Sequence, residues 1–166
     1  MNPIPVSLAV EGPLDEQVLR QLLRQSGKPF ASGVCYGMRG KDNLRANVAR
    51  FDYAAAHVTF IILTDLDHED CPPGLITHWL PQGRNNNLLL RVAVREVESW
   101  LLADRKHIAE FLGIPMAKIP QQPDDCDDPK TLLVSLARRS NTRDIREDLV
   151  PCLVAPAKLA RTMLDS

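Results

Sequence analysis

The chain of 166 residues has no surplus of charge of either sign: 20 lysines and arginines stand against 21 aspartates and glutamates. That balance excludes long-range attraction of the whole molecule to nucleic acid or to an anionic membrane, so a polyanion must be met by a local patch. Cysteines are few. Cys35, Cys71, Cys126 and Cys152 show no CxxC spacing, which argues against a zinc ribbon and a dense disulfide framework and fits reduced thiols in the cytoplasm. No apolar run approaches the roughly 18 residues of a membrane span. The opening Met1-Asn2-Pro3-Ile4-Pro5 carries neither the basic nor the apolar segment of a secretory signal. A cytoplasmic protein without membrane association is therefore expected. Internal repeats are lacking too, and low complexity is confined to the acidic run Asp124-Asp125-Cys126-Asp127-Asp128.

What is present is an ordinary globular composition, 45% hydrophobic and 25% charged, in a chain long enough for one domain with a proper core. Three apolar runs, residues 6–10, 58–63 and 88–94, are near-continuous rather than alternating, the mark of parallel strands covered on both faces. A weaker strand is expected over residues 32–36. Between them the spacing is helical. Leu14, Val18, Leu19, Leu22 and Leu23 form one stripe, with Pro13 suited to the first turn and Gly27 to the stop. A second helix is expected from Asp42, as its cap, to Phe51, with Leu44, Val48 and Phe51 facing inward.

Alternating strands and helices point to an α/β fold with a doubly wound, mainly parallel sheet flanked by helices. After the last strand the chain turns helical. Val97, Trp100, Leu101, Ile108, Phe111 and Leu112 keep helical spacing up to Gly113, with Asp104 a candidate break. Residues 115–129 read as an exposed loop. Asp128 then caps a helix beginning at Pro129 and carrying Leu132, Leu133 and Leu136, and a further helical pattern spans residues 156–164.

The acids fall at the carboxyl ends of the strands. Residues 6–10 run into Glu11-Gly12, residues 58–63 into Thr64-Asp65-Leu66-Asp67, and residues 88–94 into Arg95-Glu96-Val97-Glu98. In an open parallel sheet these ends share the edge where ligands bind, so acids far apart in sequence converge there. Clustered carboxylates raise one another's pKa unless a counter-charge is present, and Mg²⁺ or Mn²⁺ supplies one through hard oxygen ligands. In extended chain Asp65 and Asp67 share a side while Leu66 packs the other way. The spacing thus proposes a divalent-metal site of Glu11, Asp65 and Asp67, whereas Asp15 and Glu16 suit the dipole of the first helix.

The run Glu11-Gly12-Pro13-Leu14-Asp15-Glu16 after the first strand, with Thr64-Asp65-Leu66-Asp67 after a later one, resembles the signature of the Toprim domain of topoisomerases, primases and OLD-family nucleases. The stretches Asp65-Leu66-Asp67-His68-Glu69-Asp70-Cys71 and Arg95-Glu96-Val97-Glu98-Ser99-Trp100-Leu101-Leu102-Ala103-Asp104 are similar to the DUF4276 family, a Toprim-like group associated with defence against phages and other mobile elements. The likeness implies a Toprim-like domain over residues 1–112, with residues 113–166 a helical extension packed on it. It implies a nuclease or other phosphodiester-processing protein that depends on Mg²⁺ or Mn²⁺ and acts on nucleic acid, DNA above all. Glu11 would match the general acid/base or metal ligand, Asp65 and Asp67 the magnesium pair, and Glu96 or Glu98 an added ligand.

Arg39, Lys41 and Arg95 are the candidate phosphate partners, since a guanidinium matches phosphate bidentately; solvated loop charges are the plainer alternative. A module without catalysis, acting with a partner ATPase, is the competing functional reading. A phosphoacceptor receiver domain fits poorly, because no late lysine follows another strand. Cys35 to Asp42 imitates a P-loop but lacks its opening glycine and closing Ser/Thr. His68 and Cys71 are too few for zinc, and Cys71 is expected to be buried near Leu75. Trp100 is expected in the core rather than in a base-stacking channel.

Overall fold

A computed structural model of the chain describes residues 2–150; the pattern at 156–164 and Cys152 lie outside the described residues. Two compact units follow one another, the first up to Ala93 and the second from Val94. In the first, the apolar runs are strands: β1 (Ile4–Val10), β2 (Phe30–Gly37), β3 (Thr59–Asp65) and β4 (Leu88–Ala93). They form one sheet in the order β2-β1-β3-β4, parallel throughout. The expected parallel α/β fold is therefore present.

The register explains the continuous apolar runs. β1 lies between β2 and β3, with Val6 opposite Thr59 and Val10 opposite Leu63, and Leu8, Ala9, Val10 and Ile62 are wholly buried. A strand with neighbours on both sides and helices over its faces keeps no exposed side, so alternation is lost. The expected weak strand is the edge strand β2. It is longer than its apolar content suggested and largely exposed; strand pairing with β1, rather than burial, holds it. Residue 94 falls beyond β4.

Three helices connect the strands: α1 (Pro13–Gln25), α2 (Lys41–Ala54) and α3 (Pro72–Trp79). On α1, Leu19 and Leu23 are buried while Leu22 is 46% exposed, so the inward stripe is narrower than five residues. Asp42 is not the cap of α2. The cap is Gly40, two residues earlier; the helix begins at Lys41 and Asp42 sits in its first turn. Leu44 and Val48 are buried as expected. Cys71 is exposed, because it stands at the N-cap of α3 and only Leu75, a turn later, faces the core.

The second unit is helical: α4 (Val97–Ala103), α5 (Arg105–Leu112) and α6 (Pro129–Ala137). Asp104 is the break between α4 and α5, its side chain accepting from the His107 backbone N–H. Gly113 ends α5 at φ +63°, a left-handed cap that glycine adopts without steric cost. Trp100 is only half-buried and Phe111 is 56% exposed, so the helical spacing overstated the core here. Residues 115–129 are not all exposed: two 3₁₀ turns, Met116–Lys118 and Pro123–Asp125, bury Ile119 and Pro123. The Arg105 guanidinium holds this stretch by donating to the Ile119 carbonyl at 3.0 Å. Asp128 caps α6 as expected, accepting from Thr131 N at 2.7 Å. No helix among the described residues is long and apolar enough to cross a membrane.

Leu63 and Leu22 separate core from surface. Leu63→Ala, at a site 1% exposed, is expected to cost about 2–5 kcal/mol of stability, and Leu22→Ala about 0.5 kcal/mol or less. Urea unfolding followed by circular dichroism measures both.

Candidate functional site

The site begins where the strands end. β1 finishes at Val10 and Glu11 follows it; β3 finishes at Asp65, and its penultimate residue is Thr64. In the order β2-β1-β3-β4, the chain leaves β1 toward one edge of the sheet and β3 toward the other. The C-terminal ends of β1 and β3 therefore flank the switch point, the place in an open parallel sheet where a crevice opens.

Glu11 reaches across that point. Its Oε1 accepts a hydrogen bond from Thr64 Oγ1 at 2.5 Å and another from the Asp65 backbone N–H at 2.9 Å. Thr64 is buried, so the hydroxyl needs this acceptor. Burial pushes the Glu11 carboxyl above its ordinary value of 4.5; the Thr64 and Asp65 bonds pull the other way, the charge of Asp67 adds to the rise, and Lys41 opposes it.

Asp67 is brought to the same rim by a turn. β3 stops at Asp65, Leu66 N donates to the Ala93 carbonyl at 2.8 Å, and Asp67 takes φ +51°. The extended geometry expected for Asp65-Leu66-Asp67 thus ends before Asp67, although Leu66 is buried as that geometry required. Aspartate tolerates the left-handed region better than most residues. What addresses Asp67 is Lys41, the first residue of α2. Its Nζ donates to Asp67 Oδ2 at 2.7 Å, to the Asp65 carbonyl at 2.8 Å and to the Leu66 carbonyl at 3.3 Å. Lys41, expected as a phosphate partner, is here the cation of the acidic cluster.

The loop between β2 and α2 is held against β1. Met38 N donates to the Val10 carbonyl at 3.0 Å and Gly40 N to the Glu11 carbonyl at 3.1 Å. Gly37 permits this approach: at φ +91°, a Cβ there would lie 2.3 Å from Val10 O. Arg39 is exposed on this loop. Asp15, buried in the first turn of α1, accepts from Gly12 N at 2.7 Å, and Glu16 pairs with Arg20; both serve α1, as expected.

The remaining candidates belong to the second unit. Glu96 is the N-cap residue of α4, and its Oε2 accepts from Lys130 N in the first turn of α6 at 3.0 Å. Glu98 is 5% exposed. Burial raises its pKa, the charges of Glu96 and Asp128 add to the rise, and Lys130 opposes it. Arg95 is half-buried beside them.

The first unit thus joins Glu11, Asp65, Asp67 and Lys41. Thr64 escaped sequence reasoning as a functional residue. The available signal was a lone hydroxyl closing a buried apolar run. The oxygens around Lys41 Nζ, one carboxylate and two carbonyls, are the hard donors magnesium prefers. They fit a divalent ion in kind, yet among the described residues no three His, Cys, Asp or Glu side chains stand together as a ready ligand set. No protein-family model, curated protein or solved structure matches the chain.

Because folding raises the Glu11 pKa, the native state holds its proton more tightly than the unfolded chain. The stabilisation linked to that proton is complete below the unfolded value and fades as pH rises through the folded one. Glu11→Gln keeps an oxygen for Thr64 and Asp65 and carries no charge. Its melting temperature relative to wild type is expected to rise between pH 4 and pH 8; a constant difference would contradict the shift. For the second unit, Glu96→Ala removes an acceptor from the start of α6. The expected cost is about 1 kcal/mol, seen as faster hydrogen exchange at the Lys130 amide.

Proposed function

We propose that the chain carries a Toprim-like domain whose Glu11 cluster processes phosphodiester bonds with Mg²⁺ or Mn²⁺, DNA being the substrate and bacterial defence against mobile elements the setting. The observation that carries this reading is the meeting of Glu11, Thr64, Asp65, Asp67 and Lys41 on one rim, at the switch between β1 and β3.

Held by Glu11, Asp65 and Asp67, a divalent ion would supply positive charge for the scissile phosphate and lower the pKa of a bound water. Glu11 is suited to proton transfer, since burial moves its carboxyl toward the working pH, where a general acid or base is most effective. Both hydrogen bonds fall on Oε1, which fixes the carboxyl plane and leaves proton exchange to Oε2. Arg39 is the phosphate partner in this reading. Lys41 holds Asp67 and the Asp65 carbonyl in place until substrate and ion arrive.

Plasmid nicking tests the proposal. With Mn²⁺, wild type is expected to nick supercoiled DNA, and Asp65→Ala or Glu11→Gln to lower the rate about 10²-fold or more. Equal rates in wild type and variants would refute it.

The Lys41–Asp67 pair favours a second reading, a module without catalysis acting with a partner ATPase. An ammonium on one carboxylate and two carbonyls already satisfies acceptors that a metal would use. Under this reading Asp67→Ala leaves the cellular phenotype intact; under the first it abolishes activity.

A further inference from the structure

A groove of about 550 Å³ opens in the first unit, between the end of β2 and the flank of α2. Its wall on α2 is Asn43, Asn47, Arg50 and Phe51, spaced so that they share one helical face. Its other wall carries Tyr36, and its mouth carries Arg39. Two guanidinium groups line it and no carboxylate does. Among the described residues, neither Arg39 nor Arg50 takes part in a salt bridge.

The aromatic part is rigid. Tyr36 packs against Phe51 and Phe60 at ring-centroid distances of 5.9 and 5.8 Å, and those two rings stack on each other at 5.6 Å. Supported from behind by two phenylalanines, Tyr36 stays 42% exposed. The amides are ordered as well: Asn47 Nδ2 donates to the Asn43 carbonyl at 2.8 Å, and Arg50 Nη1 to Asn47 Oδ1 at 3.3 Å. Burial pushes the Cys35 thiol up to about 12, so the floor adds no negative charge. The loop bearing Arg39 is bonded directly to the Val10 and Glu11 carbonyls, which links the groove to the acidic rim.

We propose that this groove binds single-stranded nucleic acid, with a base stacked on Tyr36, phosphates on Arg39 and Arg50, and the strand led toward Glu11. The inference rests on the phosphodiester reading of the Glu11 cluster and names the form of its substrate. An exposed ring beside guanidinium groups that no carboxylate neutralises among the described residues is the combination by which single strands are held. In a duplex the bases stack on one another and offer the ring no face. Asparagine amides supply donors and acceptors to base edges that are free only in an unpaired strand.

Fluorescence anisotropy with a labelled 12-mer of thymidine, in EDTA so that no cleavage occurs, tests the proposal on the full chain. Tyr36→Leu keeps bulk for Phe51 and Phe60, and is expected to weaken binding about tenfold with an unchanged salt slope. Arg50→Ala is expected to weaken it and to flatten the log–log salt slope by about 0.7, one phosphate contact on a single strand. Tyr53→Leu, 80% exposed on α2 and outside the groove lining, should bind as wild type. Wild-type affinity in both groove variants would overturn the proposal. So would equal or tighter binding of duplex, or full competition by thymidine monophosphate at the oligonucleotide's own affinity, which would make the groove a mononucleotide site. Groove-dependent binding with no nicking by wild type would keep the groove and reject the catalytic reading.

Discussion

β1 is hydrogen-bonded to strands on both sides, and the candidate site depends on that double pairing. Because Val10 pairs with Gly37 on one side and Leu63 on the other, β1 and β2 end at one level and Glu11 emerges beside Thr64 and Asp65, the last two residues of β3. Glu11 can then reach Thr64 and the Asp65 amide, while the loop after β2 donates back to the carbonyls of Val10 and Glu11. A slip of one residue in β1 would reverse the faces of its side chains and carry Glu11 away from β3. The fully buried Leu8, Ala9 and Val10 oppose such a slip.

Within that frame the acids meet two opposed demands. Burial favours a neutral Glu11, whereas the hydrogen bonds to Oε1 and the nearby ammonium of Lys41 favour its charge. Asp67 adds a second negative charge and is answered by the same lysine. The cluster is thus a compact array of carboxylate and carbonyl oxygens organised around a cation.

The two ends of α2 divide the work of the first unit. Its first residue, Lys41, serves the acidic rim; its flank, from Asn43 to Arg50, lines the groove with Tyr36. Between them Leu44 and Val48 anchor the helix to the sheet and are buried. One amphipathic helix therefore carries residues of both surfaces, with Gly37 allowing the chain to pass close over β1.

The amino-acid order by itself determined the parallel α/β plan, the strand ends on which Glu11 and Asp65 stand, the break at Asp104 and the cap at Asp128. Local chemistry decides these: doubly covered strands demand unbroken apolar runs, and helix starts demand acceptors for free N–H groups. Only the tertiary structure decided that Lys41 sits on Asp67, that Thr64 binds Glu11, that Asp67 lies in a turn, and that Leu22 and Phe111 face outward. Those outcomes are set by strand register and by which face each helix buries within its own unit. Lys41 and Asp67 lie on different elements, and nothing in their separation along the chain encodes a distance of 2.7 Å.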